Sequence, residues 1–274
     1  MESWEGSDPD FLLRTPEGLP TCLPWESYSS ATDSFLTVLH PIQGRPRPAT
    51  PLRILVLFSG TGSVEREFRA CYPTAEVVTV DSQEKWNPTF VTDVQDWDFR
   101  KFRPRFFDVI WASPPCTEYS QAKTTGIRQL RHADACVRRT LQILDYLKPR
   151  HWFLENPMGR FPFALRFRPV VRNLPPPLTC SYCMYGTSFR KATCIWTSTP
   201  PAVPLRHCSA DTPCVHRRVL GQHPTTAQLG PHPDQAGAGS AESVYPIPAA
   251  LLHHLFADLF PTHETPATCE SHAS

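Results

Sequence analysis

Short, almost wholly apolar runs alternate with stretches of helical periodicity through the middle of the chain. Arg53-Ile-Leu-Val-Leu-Phe58, bounded by Pro51 and Gly60, reads as a buried strand. A helix is predicted from Ser63 to Tyr72. Glu76-Val-Val-Thr-Val-Asp81 and Phe106-Phe-Asp-Val-Ile-Trp-Ala112 are rich in strand formers, a third short strand is predicted just before Thr92, and His151-Trp-Phe-Leu154 supplies the fifth. Between Ile127 and Lys148 the apolar positions Leu130, Val137, Leu141 and Leu144 step by 7, 4 and 3 residues. That spacing is one face of a helix, and Pro149 marks its end. A last helix is predicted from Ala249 to Phe260. Strands alternating with helices specify an α/β fold with a mostly parallel sheet, in which ligands bind beyond the carboxyl ends of the strands.

The flanks read differently. Residues 1–50 carry repeated prolines, many Ser and Thr and no sustained periodicity, so an irregular amino-terminal extension is expected there. The main α/β domain is expected over 51–198, a short irregular segment over 199–242, a carboxyl-terminal helix completing the domain over 243–262, and a tail over 263–274. The 274 residues suffice for one large domain with an appendage, and 31 prolines against 12 glycines favour rigid, irregular connections. No apolar run is long enough to span a bilayer, and the first residues lack the apolar core of a secretory signal. An intracellular protein without a membrane partner is therefore expected, nuclear if its host is a eukaryote or a nuclear virus, and monomeric. Ten cysteines in such a setting read as thiols rather than disulfides.

A net charge of +1 conceals an asymmetry. Residues 1–99 carry 7 basic and 15 acidic side chains, residues 100–191 carry 17 and 5, and residues 192–274 carry 3 and 6. An arginine-dense middle third suits a polyanion such as DNA; the alternative is a plain solvated face.

The candidate chemistry lies where the strands end. Phe58-Ser-Gly-Thr-Gly62 is a glycine turn leading into a helix, where backbone can approach a ligand closely. Asp81, at the end of the second strand, stands where an acid binds a ribose hydroxyl, and Thr92-Asp93-Val94 adds a second carboxylate. Without a Gly-Lys-Ser/Thr loop, these point to a nucleoside-bearing cofactor rather than a phosphate donor; a tight turn with surface carboxylates is the alternative. The fourth strand runs into Trp111-Ala-Ser-Pro-Pro-Cys-Thr-Glu-Tyr-Ser120, which fixes Cys116 rigidly beside the glycine turn, with arginines available to favour its thiolate. The fifth ends in Glu155-Asn156-Pro157. A cysteine nucleophile, a carboxylic acid and a nucleoside cofactor together suit methylation of a carbon that is not itself nucleophilic. Cytosine C5 becomes nucleophilic once a thiolate adds to C6, helped by an acid at N3.

In that order, Phe58-Ser-Gly-Thr-Gly62, Ser113-Pro-Pro-Cys-Thr-Glu-Tyr-Ser120 and Glu155-Asn-Pro157 resemble the motifs of S-adenosylmethionine-dependent DNA (cytosine-5) methyltransferases. The resemblance covers 53–198 and, weakly, 243–260. The stretch from Asp108 to Ser120 with Ala122-Lys-Thr124 looks most like the small versions encoded by large DNA viruses, phages and algae. It implies a Rossmann-like methyltransferase fold with a catalytic domain over 51–198, a DNA substrate whose cytosine is flipped out, and S-adenosyl-L-methionine as cofactor. The cofactor would be held by Phe58, Ser59, Gly60, Thr61 and Gly62, with Asp81 on its ribose, Asp93 on its adenine and Pro114 alongside. Cys116 would attack C6, Glu155 would engage N3, and Asn156 and Lys191 would complete the catalytic group. The chain departs from the family where Gln-x-Arg-x-Arg is usual. It reads Tyr185-Gly-Thr-Ser-Phe189-Arg190-Lys191-Ala-Thr193, so Lys191 or Arg190 stands in for the arginine that meets the cytosine. The target-recognition region shrinks to 199–242, so a long recognition sequence is not expected. An RNA or nucleotide cytosine-5 methyltransferase, or a silent nucleic-acid-binding relative, are the alternatives.

No catalytic metal is expected. Cys180-x-x-Cys183, His207, Cys208, Cys214 and His216 nevertheless offer enough soft ligands for a structural zinc, with unligated thiols as the alternative.

Overall fold

The structure, a computed structural model, describes residues 51–121, 123–226, 246–257 and 259. The extension 1–50, Ala122, the 227–242 part of the short segment, and the end of the last helix with the 263–274 tail lie outside the described residues.

Nine strands are described: β1 Arg53–Leu57, β2 Glu76–Asp81, β3 Phe90–Val91, β4 Val109–Ala112, β5 His151–Pro157, β6 Leu178–Ser181, β7 Phe189–Arg190, β8 Ala192–Thr197 and β9 Thr225–Thr226. Seven of them form one sheet in the order β3-β2-β1-β4-β5-β8-β6. Strands β1 to β5 pair in parallel, while β8 runs antiparallel to both β5 and β6. The mostly parallel α/β sheet expected from the pattern is therefore present. The sheet order reverses between β1 and β4, and that is where a doubly wound sheet opens a crevice.

The strands are apolar on both faces because both faces are covered. Leu55, Leu57, Ile110, Ala112, Trp152 and Leu154 point to one side, where helix α2 (Leu130–Leu147) packs with Val137, Leu141 and Leu144. The alternating residues Ile54, Val56, Val109, Trp111 and Phe153 meet α1 (Ser63–Cys71) and α4 (Ala249–Phe256) on the other side. There Phe68 and Phe256 stack at 4.2 Å. Each such large side chain removed from water contributes about 1.5–3 kcal/mol. Helix α2 ends as its pattern predicts. Lys148 turns left-handed at φ 46° and donates its N–H to Leu144, and Pro149 cannot continue the helix.

Two strand boundaries differ from the sequence reading by three residues. The fourth strand begins at Val109 because Phe106 and Phe107 instead pack on Phe102, with ring centroids 5.1 and 4.9 Å away. The fifth continues to Pro157 because β8 pairs with it, setting Glu155 opposite Ile195 and Asn156 opposite Cys194. Within 199–226 the chain also forms a short helix, α3 (Val215–Leu220), and β9, which pairs with β7 outside the main sheet.

Candidate active site

Beyond the carboxyl ends of the parallel strands the sheet opens into a cleft of 680 Å³. Its wall begins with the turn after β1, where Phe58 takes a left-handed φ of 57° that is costly for a bulky residue, followed by Gly60 at 48° and Gly62 at 70°. The turn is locked from within. Asp81 accepts the Gly60 N–H through Oδ2 at 2.9 Å and the Gln83 N–H through Oδ1 at 2.9 Å. The N–H of Ser59 goes to Val80 and that of Gly62 to Ser59. What the turn offers a ligand is thus close approach more than free donors. Asp81 keeps spare acceptor capacity on both oxygens, since a carboxylate accepts up to about four hydrogen bonds.

Phe58, Ser59, Gly60, Thr61, Asp81, Asp93 and Pro114 all line the cleft, together with Cys116, Glu155 and Lys191. Gly62 and Asn156 are not among its lining residues. Gly62 instead sits at the N-cap just before α1, and Asn156 is fully buried with its Nδ2 donating to the Pro114 carbonyl at 3.0 Å. That bond fixes the Pro114-Pro115-Cys116 backbone. The start of the same loop is held by the Trp111 indole, which donates to Ser113 Oγ at 2.8 Å. Further along, Glu118 binds Lys123 and the Gln129 N–H, each at 2.7 Å, so the loop after Cys116 is braced against the start of α2.

Glu155 meets two partners on one oxygen. The Tyr182 hydroxyl donates to Oε1 at 3.2 Å, and the Lys191 ammonium lies 3.8 Å from the same atom and 4.8 Å above the Tyr182 ring. Tyr182 is fully buried, and desolvation holds its phenol well above the usual range, with the nearby Glu155 charge adding to the effect. Its O–H is therefore a donor at any working pH. Burial likewise raises the Cys116 thiol above its ordinary value; Lys191 pulls it down and Glu155 pushes it up. The cation acting on Cys116 is this lysine, not one of the arginines the sequence put forward.

The arginines of α2 and its approach divide into two kinds. Arg128 donates to the Glu118 and Lys123 carbonyls, and Arg139 to those of Val94 and Trp97, so both hold the protein's own backbone. Arg131 and Arg138 are exposed on α2. Sequence reasoning passed over Tyr182, and also Trp86, which lines the cleft beside Asp81 with Lys85 4.4 Å from its ring. A strand-rich pattern at Leu178–Ser181 was the available signal for Tyr182. For Trp86 the signal was its distance of five residues from Asp81.

No protein-family model matches the chain. A probable DNA (cytosine-5)-methyltransferase of Frog virus 3 (isolate Goorha) is 32% identical over 182 residues, covering 60% of this chain and 78% of the viral protein. The chain belongs to the DNA (cytosine-5)-methyltransferase family. It is a cytosine-5 methyltransferase, and its seven-stranded sheet is the Rossmann-like one the resemblance implied. Among solved structures, the methyltransferase EhMeth of Entamoeba histolytica is 18% identical with a TM-score of 0.41, over 58% of this chain and 57% of that one. A DNMT2 variant from Spodoptera frugiperda is 18% identical with a TM-score of 0.37, over 53% and 49%. No helix among the described residues is long and apolar enough to cross a membrane.

Proposed function

We propose that this cytosine-5 methyltransferase acts on DNA, and that it does so through a covalent bond from Cys116 to C6 of a cytosine turned out of the duplex. The observation that carries the reading is the convergence of Cys116, Glu155 and Lys191 in the cleft that also holds the glycine turn and Asp81. S-adenosyl-L-methionine would supply the methyl group as an electrophilic carbon on a sulfonium. The cleft suits it. The turn permits close approach, Asp81 has acceptor capacity left for ribose hydroxyls, Asp93 stands by for the adenine, and Phe58 and Pro114 offer apolar walls.

The protein's own groups do the following. As the Cys116 sulfur bonds to C6, the thiol proton passes through the Glu155 carboxylate to N3, so the ring takes no uncompensated negative charge. C5, now nucleophilic, accepts the methyl group. The C5 proton then leaves to solvent, the sulfur–C6 bond breaks, and the N3 proton returns through Glu155 to the sulfur, restoring the resting site. Lys191 favours the thiolate in the first step and with Tyr182 holds Oε1, leaving Oε2 of Glu155 for the base. Asn156 acts indirectly, by fixing the loop that carries Cys116. A stacked cytosine cannot present C6 to a sulfur at the wall of a cleft, so the base has to leave the helix.

The test is a duplex containing 5-fluorocytosine. Fluorine cannot leave C5 as a cation, so the enzyme with S-adenosyl-L-methionine should form an adduct that survives denaturant, and Cys116→Ser should form none. RNA and free nucleotides carrying the same base are run in parallel, and an adduct with RNA alone would overturn the DNA assignment. Binding of cofactor and fluorinated DNA without any adduct would overturn the covalent mechanism.

A further inference from the structure

Outside the cleft, one group of side chains has no part in the chemistry above. Cys183 lies in the turn Tyr182–Tyr185, Cys208 in the loop after β8, Cys214 immediately before α3, and His223 two residues past the Gly221 that ends α3. Their ligand atoms all lie within 4.8 Å of one another. His223 Nε2 is 3.7 Å from Cys208 Sγ and 3.4 Å from Cys214 Sγ. A tetrahedral zinc with Zn–S near 2.3 Å and Zn–N near 2.0 Å separates its ligand atoms by roughly 3.5–3.8 Å. The two imidazole–sulfur distances are therefore already at about the spacing such an ion requires, and the sulfurs lie within 4.8 Å of one another. The three cysteines are no more than 3% exposed and form a small cluster of their own with Met184, apart from both faces of the main core.

We propose that Cys183, Cys208, Cys214 and His223 bind one structural zinc ion, which fastens the 207–223 segment to the wall of the cleft. The donor set selects the metal. Three thiolates and one imidazole in a closed tetrahedron suit zinc, and no position is left open for water or substrate. Binding displaces three thiol protons and uses the neutral imidazole through Nε2, so the loaded site carries one net negative charge. Two surrounding features suit that charge. The Cys214 N–H points at Cys208 Sγ at 3.5 Å, and the cationic Arg190 pairs through β7 with Thr226, three residues past His223. Sequence spacing suggested a different set. Cys180 is instead packed in the core on β6, and His207 bonds Ser181 Oγ. His216, on α3, does not join the group either.

The consequence reaches the cleft. Cys183 follows Tyr182 directly, the Tyr182 N–H donates to the Lys191 carbonyl at 3.1 Å, and β9, just after His223, pairs with Phe189 and Arg190. The metal would hold from behind the two residues that touch Glu155. The metal site itself does not depend on the catalytic reading, and its test does not use activity.

The full chain is expressed with zinc in the medium and purified without chelator, and its metal content is measured. About one zinc per chain is expected for the wild type and for Cys71→Ser, which alters the other, more exposed group of potential ligands (Glu67, Cys71 and His253). Cys208→Ser and Cys214→Ser should lose it. Should those variants fail to fold, cobalt exchanged into the wild type decides. Intense visible bands with thiolate-to-cobalt charge transfer indicate a tetrahedral sulfur site and support the proposal; weak octahedral bands overturn it. A wild-type protein that is folded and metal-free after dialysis against zinc, or one whose thiols are paired as disulfides, also overturns it.

Discussion

Replacing Tyr182 by Phe tests how the cleft holds Glu155. The ring stays, so the fully buried apolar volume is unchanged; only the hydroxyl that donates to Oε1 at 3.2 Å is removed. A hydrogen bond to a charged acceptor contributes about 1.5–3 kcal/mol. The Lys191 ammonium, 3.8 Å away, remains but is too distant to fix the carboxylate's direction on its own. If that bond orients Glu155 for the transition state, its loss lowers the rate constant roughly ten- to hundredfold. The assay is single-turnover methylation, together with adduct formation on fluorinated DNA, at saturating cofactor and DNA. Thermal melting confirms that the variant is folded. Because burial keeps the phenol protonated, the ratio of wild-type to variant rates should stay flat from about pH 6 to pH 9. An intact fold with an unchanged rate constant, or a change confined to KM, would refute a positioning role for Tyr182.

The raised Cys116 thiol should be alkylated by iodoacetamide at a rate still climbing above pH 9, and Lys191→Met should slow it further by removing the charge that lowers the thiol; a plateau below about pH 8 contradicts this. The log–log salt slope of DNA binding should fall by about one in Arg131→Gln or Arg138→Gln. Arg128→Gln and Arg139→Gln should lower the melting temperature instead, and equal effects from all four would reject the division. His151 is held by burial at about 4 against a usual 6.5, so its contribution to stability is complete above pH 6.5 and is lost as pH falls towards 4. The loss approaches roughly 3 kcal/mol, and the difference between wild-type and His151→Gln denaturant midpoints at pH 7 and pH 4 measures it. Gly159 sits at φ 51°, and an added Cβ would come within 2.5 Å of the Ala164 Cβ. Gly159→Ala should therefore destabilise the fold by more than about 1 kcal/mol, and an unchanged melting curve would show that the 159–164 turn gives way.

Much of the fold could be read because parallel strands buried on both faces leave continuous apolar runs. Ile54 to Leu57 show this, and Glu76 to Asp81, carried by Val77, Val78 and Val80, has both of its boundaries as predicted. Helix α2 was legible because one face carries Val137, Leu141 and Leu144 against the sheet. Phe106 and Phe107 misled, since aromatic residues favour strands but here pack on one another. In the cleft, residues at or just past the carboxyl end of a parallel strand could be anticipated from position alone, as with the glycine turn, Asp81, Cys116 and Glu155. Asn156 differs in kind. Its place beside Glu155 was plain, but its bond to Pro114 depends on two loops approaching in space, which no local pattern encodes. His223 was missed for the same reason. It lies fifteen residues from Cys208 and forty from Cys183, without a repeat to flag it.

Lys191 shows how topology brings a residue of the motif to the cleft. Strand β8 is antiparallel to β5, so its beginning, not its end, lies at the carboxyl edge where β1, β4 and β5 deliver their side chains. A residue just before β8 therefore arrives beside one near the end of β5. The register fixes the match: Pro157 pairs with Thr193 and Glu155 with Ile195, which sets Lys191 next to the Glu155 carboxylate. A slip of one residue would turn every side chain of β8 to the opposite face and exchange Cys194 and Trp196 of one core with Ile195 of the other. The burial that holds β8 in register thus also holds Lys191 against Glu155. At this position the family usually carries an arginine. A lysine acts as a point charge without a planar fork, so here it is the strand's register and the Tyr182 ring beneath the ammonium, rather than paired hydrogen bonds, that give the cation its direction.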